Sequence, residues 1–466
     1  MPLLDSTDSR PIHFVGIAGA GMSALAELFV RRGARVTGCD AAAGAAGGGT
    51  DDLARMGIAV AHGHDPSHVA GARALVVSSA IPRDHPELAA ARAAGLPVIR
   101  RAEALGEAVS GEGRVLVAIA GTHGKTTTTV MTTEALRSAG RAPTGIVGGR
   151  VSAWGGNLSA GDDRLFIVEA DEYDRSFLAL APTVAVVTNI EADHLDIYRD
   201  LADIHGAFAQ FAGGARKLVL CADDAGAAAL RVPSSAEVIR YGLASPDARL
   251  VAANVRVDAE GGSSFEVVFD DEPRARASLR VPGTHNVLNA LAALGAGLSL
   301  GADVDAMLPG LRAFTGVERR FQRLGGARGV LVVDDYAHHP TEIRATLAAA
   351  RAAFPGHRVI AAFQPHLFSR TRDFADDFGR ALVAADALYL TEIYPAREQP
   401  IPGVTAELVA DAVRGAGGAV AWRGERGALA DALASAVRDG DVVLTIGAGD
   451  ITRTGPELLA RLRAGA

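Results

Sequence analysis

The sequence predicts an α/β protein of three domains: a Rossmann-like N-terminal domain over 1–105, a central P-loop ATPase sheet with a small antiparallel appendage over 106–316, and a Rossmann-like C-terminal domain over 317–466. Apolar, β-branched runs that end in polar residues alternate with segments of helical spacing along nearly the whole chain, the pattern of parallel sheets covered by helices. Two glycine-rich turns sit between a strand and a helix, and one segment breaks into period-two alternation.

The first strand is read over Ile12–Ile17, before a helix with Met22, Leu25, Leu28 and Phe29 on one face. A second strand ends at Asp40. Gly19, Gly21 and Ala24 satisfy G-x-G-x-x-[G/A], with Asp40 where a ribose-binding acid is expected. Alone, this points to a nicotinamide enzyme, although the same turn can hold any pyrophosphate. Ala74–Pro82 adds a strand and polar turn, so Gly19, Asp40, Ser78 and Ser79 should gather at strand ends.

Val115–Val130, VLVAIAGTHGKTTTTV, is the most specific stretch. A buried strand runs into Gly121 and Gly124, then Lys125 and four threonines open a helix, which makes a phosphate cradle with a hydroxyl for Mg²⁺. Ile119 replaces the usual first glycine. The chain has only two lysines, Lys125 and Lys217, so an ammonium kept here suits a compact charge against phosphate, which an arginine fork does not match.

The glycine-rich 141–163 is read as a loop region. Strand Leu165–Val168 precedes Glu169, Asp171, Glu172 and Asp174, placed as magnesium-binding acids are in nucleotide-hydrolysing sheets. The next strand ends before His194, between Asp193 and Asp196, where a metal or carboxylate contact and a structural role stand equal. Leu250–Val281 alternates as the antiparallel appendage. Asn286 and Asn289 then share a helix face, for capping or for reading a base edge. In the third domain, strands precede DDYAHHPTE, a polar loop in FQPHLFSRTRDF, and a final glycine turn.

With 466 residues and a net charge of −8, the chain has no broad surface for nucleic acid. No apolar run is long enough to span a bilayer and MPLLDSTDSR has no signal core, so a cytoplasmic protein without membrane contact is expected, as monomer or weak homodimer. Cys39 and Cys221 read as small buried hydrophobes, not zinc ligands, and His62, His64, His68 and His85 as surface or loop histidines without metal-ligand spacing.

Eight motifs in order, HFVGIAGAGMSALAE, GTHGKTTTT, EADEYDRSF, NIEADHLD, GTHNVLNALAA, ERRFQ, DDYAHHPTE and FQPH…SRTRDF, resemble the Mur ligases across essentially the whole chain. Among them the match is nearest to members that join L-alanine to the lactyl carboxylate of UDP-N-acetylmuramate for peptidoglycan synthesis. The resemblance implies ATP and Mg²⁺, an acyl phosphate, and a C-terminal domain that closes over the nucleotide. It displaces the redox reading, since the first glycine turn would hold UDP pyrophosphate. Members that add a tripeptide to the same sugar, and a non-catalytic nucleotide-binding regulator, are the alternatives.

By the same resemblance, Gly121, Thr122, Gly124, Lys125, Thr126, Thr127, Asn286, Asn289, Arg319 and Asp335 would bind ATP, with the two asparagines on adenine and Lys125 on the transferring phosphate. Thr126, Glu172 and His194 would hold Mg²⁺. Gly19, Gly21, Met22, Ser23, Asp40, Ser78, Ser79, His123 and Asn157 would meet the UDP-sugar; Tyr336, His338 and Arg370 would meet the amino acid, with His338 as base. Two departures stand out. No lysine lies between His194 and Lys217, where relatives carry a modified one near the second metal, and Leu367 occupies a position that is often basic.

Overall fold

The computed structural model describes residues 3–4, 7–43, 50–258 and 261–464; Met1, Pro2, Asp5 and Ser6 of the N-terminal stretch lie outside them. Three sheets follow one another along the chain. The first has five parallel strands in the order Ala59–His62, Val36–Asp40, Ile12–Val15, Ala74–Val77, Val98–Arg100. Strand order reverses beside Ile12–Val15, which opens a crevice at the carboxyl ends where doubly wound sheets bind ligands. The opening strand stops at Val15, short of the expected Ile17, because Gly16 turns the chain with a φ of +74°. Helix Ala20–Arg31 then buries Met22, Leu25, Leu28 and Phe29, as its spacing requires.

The middle sheet has ten strands. Parallel strands Leu250–Val257, Glu237–Gly242, Lys217–Cys221, Val184–Val187, Val115–Ala120 and Leu165–Glu169 lie side by side in that order, and Leu250–Val257 starts an antiparallel extension through Ser263–Phe269 and Glu272–Leu279. At the other edge the structure corrects the expected loop region: Thr144–Val151 pairs parallel with Leu165–Glu169 and antiparallel with Gly156–Ser159. Its glycines serve close packing, since a Cβ on Gly145 would meet Thr133 and Trp154 at 2.7–2.8 Å.

Helix Lys125–Ser138 buries Thr126, Thr127, Thr128, Thr129, Thr132 and Thr133. A threonine run is a poor helix former in isolation. Here Thr129, Thr132 and Thr133 donate their hydroxyls to carbonyls four residues back, at 2.7–2.8 Å, so the buried polar groups are satisfied and packing decides.

The third sheet has six strands in the order Gln322–Ala327, Val330–Asp335, Asp441–Ile446, Arg358–Phe363, Ala387–Thr391, Val420–Gly424, parallel except for the first pair. Apolar clusters cover both of its faces, while one continuous core runs through the first and middle sheets. The polar segment after Phe363 is not wholly a loop. Phe368–Asp373 is helical, started by Leu367 at a φ of +70° and tied by Thr371 Oγ1 donating to the Leu367 carbonyl at 2.7 Å. Among the described residues, no helix is long and apolar enough to cross a membrane.

Candidate active site

The phosphate loop hangs from the exits of three adjacent strands. Register places Ile119 opposite Glu169 and Ala120 opposite Val187, so the loop, the acids and the Thr188–His194 segment emerge together. Asn189 fastens the loop twice: its carbonyl accepts from Thr122 N–H at 3.0 Å and its Oδ1 from His123 N–H at 2.7 Å. Gly121 and Gly124 have φ of +139° and +82°, and a Cβ on Gly121 would collide with Thr188 Oγ1. Glycine is therefore required at both.

Lys125 Nζ donates to Glu172 at 2.7 and 2.9 Å and to the carbonyls of Gly121 and Thr122 at 2.8 and 3.2 Å. Burial disfavours both charges, yet Glu172, Asp171 and Glu169 raise the lysine, and Lys125 and His194 lower Glu172, so the pair stays ionised. His194, at a φ of +53°, sets Nε2 3.6 Å from Glu172 Oε1 and 3.8 Å from Asp193 Oδ2. Burial opposes its protonation, but the two carboxylates raise its pKa. Thr126 Oγ1 donates to Glu169, one strand register away, at 3.0 Å. Glu169 also accepts from Gly148 N–H at 2.7 Å, and burial raises its pKa despite that bond.

Two clefts meet here. The first, at the exits of the first sheet, is lined by Gly19, Gly21, Met22, Asp40, Ser78 and Ser79 and continues to Glu169 and Asp171. Asp40 accepts from Ala18 and Ala42 N–H at 2.9 Å, shaping the turn as well as facing the cleft. Ser23 bonds back to Ala20, and Asn157 donates to the Ala20 carbonyl at 3.0 Å, tying the middle sheet to the first helix; neither lines the cleft. Arg101, which sequence reasoning missed, does line it, with Nη1 2.9 Å from where a Cβ on Gly21 would lie.

The second cleft, of about 300 Å³, lies between the middle and third sheets and takes in Gly124, Thr126, Thr127, Asn286, Asn289 and Asp335. The asparagines form a relay. Thr128 Oγ1 donates to Asn289 Oδ1 at 3.1 Å, Asn289 Nδ2 to Asn286 Oδ1 at 3.2 Å, and Asn286 Nδ2 to the Pro282 carbonyl at 2.7 Å. Burial raises Asp335 to about 6 even though Arg320 and two backbone N–H groups stabilise its charge. His123, expected beside the sugar, borders this cleft instead, 3.6 Å from Glu191 and 3.4 Å from Glu342. Burial works against its charge, but Glu342 and Glu191 outweigh it and raise the imidazole to about 9.

The third sheet turns a set of polar groups onto the same junction. Arg370 Nη2 donates to Asp193 Oδ1 at 2.6 Å, while Arg370 Nε is buried without a partner. Thr341 Oγ1 donates to Glu191 at 2.6 Å, and His339 Nε2 lies 3.2 Å from the Ala192 carbonyl. Arg319, expected on the phosphates, donates to the Gly447 and Gly449 carbonyls at 2.7 and 3.2 Å; its neighbour Arg320 lines the cleft. Both guanidiniums lie over the Tyr336 ring, 4.7 and 5.0 Å from its centroid. His338 Nδ1 faces the Tyr336 carbonyl at 3.0 Å, and burial, helped by Arg370 and His366 against Glu342, pushes the ring down to about 3. An imidazole that weak is neutral near pH 7 and a poor match for the base expected at this position.

Besides Arg101, sequence reasoning missed Arg320 and also Glu191, Thr341 and Glu342, which join loop to third sheet. Glu342 had one visible signal: it stands three residues after His339, and its Oε2 accepts the His339 N–H at 3.3 Å as a capping residue.

Three family descriptions match the chain in sequence order: Mur ligase family, catalytic domain, over 11–112; Mur ligase middle domain over 119–297; and Mur ligase, glutamate ligase domain, over 319–449. The chain belongs to the Mur ligase family. This Mur ligase is 44% identical to the UDP-N-acetylmuramate–L-alanine ligase of Renibacterium salmoninarum, over 98% of the chain and 97% of the relative. It is 46% identical to the enzyme of the same name from Cutibacterium acnes, over 99% and 98%. The crystal structure of UDP-N-acetylmuramate-alanine ligase from Thermotoga maritima superposes with a TM-score of 0.83 at 28% identity, covering 98% of this chain and all of that one. A murein peptide ligase from Psychrobacter arcticus gives 0.71 at 26% identity, over 97% and 98%.

Proposed function

We propose that this Mur ligase uses ATP to join L-alanine to the lactyl carboxylate of UDP-N-acetylmuramate. One observation carries the reading: the two clefts touch through the Thr126–Glu169 hydrogen bond, Thr126 in the wall of the nucleotide cleft and Glu169 in that of the first. A carboxylate entering along the first sheet and a phosphate lying on the loop meet at Lys125. The full-length similarity to L-alanine ligases supplies the identity of the reactants.

The roles follow from position. Residues 1–105 hold the UDP-sugar, with Gly19, Gly21, Asp40, Ser78, Ser79 and Arg101 around its diphosphate end; 106–316 hold ATP; 317–466 close over it. Lys125 neutralises the charge that develops as the γ-phosphate moves to the sugar's carboxylate oxygen, which makes the carboxyl carbon electrophilic. The alanine amine then attacks that carbon, the C–N bond forms as the C–O bond to phosphate breaks, and the proton shed by nitrogen leaves on the departing phosphate. Arg370, with its free Nε, binds the amino acid carboxylate; Tyr336 and His338 frame the amine. His338 accepts a hydrogen bond through Nε2 and orients the amine, while its depressed basicity keeps it from storing a proton.

Thr126, hydrogen-bonded to Glu169, and the adjacent pair Glu172 and His194 would hold Mg²⁺ with their hydroxyl, carboxylate and imidazole, and the ion's chemistry would be to neutralise the phosphate oxygens. Asp193 and Glu169 stand beside them and add oxygen donors where no modified lysine exists.

Phosphate release from ATP with UDP-N-acetylmuramate and L-alanine, each omitted in turn, tests the reading. Turnover should require both. Turnover with the tripeptide and none with L-alanine would make this a recycling ligase.

A further inference from the structure

The first sheet carries, away from the ATP junction, a cluster that ligase chemistry does not use. His13 comes from the strand Ile12–Val15, Cys39 from the neighbouring Val36–Asp40, His68 from the turn Pro66–Val69, and Glu87 from the first turn of helix Pro86–Ala93. One donor atom from each lies within 4.8 Å of the others. Glu87, fully buried, sets its carboxylate 2.8 Å from His68 Nδ1, 3.0 Å from Cys39 Sγ and 3.9 Å from His13 Nε2. The His13 ring is 2% exposed, and its Nε2 has no hydrogen-bond partner, while Nδ1 faces Thr37 Oγ1 at 3.0 Å.

We propose that His13, Cys39, His68 and Glu87 bind one zinc-class divalent cation that ties the two central strands of the first sheet to the turn and helix beside them. Two imidazoles, a thiolate and a carboxylate are a zinc donor set and a poor one for Mg²⁺. Tetrahedral ligands about 2.0–2.3 Å from zinc lie about 3.3–3.8 Å apart; the Glu87 contacts of 2.8, 3.0 and 3.9 Å bracket that range and every donor atom lies within 4.8 Å of the others, so side-chain shifts of about 1 Å or less close the shell. Charge balances as well. On binding, the Cys39 thiol gives its proton to solvent, and the thiolate and Glu87 together offset the two charges of the ion, leaving the buried site neutral.

Without a cation the cluster is poorly satisfied. A fully buried carboxylate has as donors the Asp65 N–H at 3.0 Å, His68 and a thiol, which donates weakly, and the His13 nitrogen stays orphaned. The Nδ1 contact of His13 with Thr37 resembles the outer hydrogen bond that metal-bound imidazoles make. The site also bears on the first cleft: Asp40 follows Cys39, and His64, 3.2 Å from Cys39 Sγ, lines that cleft. A cation here would stiffen the cleft wall. The ligands are scattered over positions 13 to 87, with no pair at metal-motif spacing, so sequence reading found two hydrophobic cysteines and loop histidines instead.

The test is a Co²⁺ titration of the full-length protein, stripped by chelator, in excess Mg²⁺. The expected result is one equivalent bound, with a near-ultraviolet thiolate-to-cobalt band and tetrahedral visible bands, displaced by Zn²⁺. Cys39→Ser should lose the near-ultraviolet band and Cys221→Ser, in the middle sheet, should keep it. Should Cys39→Ser fail to fold, His68→Ala at the half-buried position should weaken binding at least about tenfold, the lower range for disturbing even an outer ligand. Absence of the band in the native chain, its survival in Cys39→Ser, its loss in Cys221→Ser, or unchanged affinity in His68→Ala would overturn the proposal.

Discussion

Arg370 and Asp193 form a buried ion pair across the junction of the third and middle sheets, Nη2 to Oδ1 at 2.6 Å, with 6% and 5% of each residue exposed. Arg370 lies in the short helix after the strand Arg358–Phe363; Asp193 immediately precedes His194. One arm of the guanidinium thus holds the third sheet against the segment that carries His194, while Nε is buried without a hydrogen-bond partner.

Removing the carboxylate should strand a buried cation. Asp193→Asn is expected to cost about 3 kcal/mol of the contact between the two units, the lower end for a broken buried pair. Small-angle scattering should report a larger radius of gyration in the variant, and the KM for L-alanine should rise at least about tenfold. An unchanged radius and KM would show that the pair does not hold closure.

Lys125→Arg keeps the charge but cannot repeat four donor contacts from one nitrogen. Phosphate release should fall by about 10²-fold or more, the usual effect of losing one transition-state donor. Near-normal turnover would sink the point-charge argument. Glu172→Gln should behave differently, losing activity and also about 3 kcal/mol of stability in chemical denaturation, because it leaves the lysine buried and unpaired.

The loop itself was legible in the sequence because every part of it is local: strand, glycines, lysine and threonines lie within sixteen positions, Val115–Val130, and each obeys a short-range rule. Asn286 and Asn289 were legible for the same reason, one helical turn apart. What was not legible depends on distant segments meeting. Glu191 and Glu342 look like ordinary surface acids until the third sheet brings them around His123, and Arg319 and Arg320 cannot be told apart before the turn at φ +61° on Arg319 sends one side chain inward and the other to the cleft. The glycine-rich 141–163 misled in the other direction, since Gly145 and Gly149 sit where a Cβ would press on Thr133 and Thr126 of the neighbouring helix, close packing and not looseness.

His123 gives the closed arrangement a pH dependence. Its pKa is raised from 6.5 to about 9 by Glu342 and Glu191 acting against burial. A raised imidazole stabilises fully below its unfolded value, less as pH climbs, and not at all above the folded value. The contribution, up to about 3 kcal/mol, should therefore decline between pH 6.5 and about 9. Thermal unfolding of the native chain should show that decline, and His123→Gln should flatten it; an equal slope in both would remove His123 as its source.

For His338, burial and the depressed value of about 3 lead to a kinetic expectation. Between pH 5.5 and 8 the kcat profile should carry no limb that His338→Gln abolishes, and that variant should act mainly by raising the KM for L-alanine. A limb near pH 6.5 present in the native enzyme and missing in the variant would restore His338 as the base.

The most direct measurement is phosphate release from ATP in the presence of Mg²⁺, with UDP-N-acetylmuramate and L-alanine supplied together and then separately. Release is expected only with both, accompanied by a product that carries one alanine on the sugar's lactyl group. Release that ignores either reactant, or that needs the tripeptide and rejects L-alanine, would contradict the assignment.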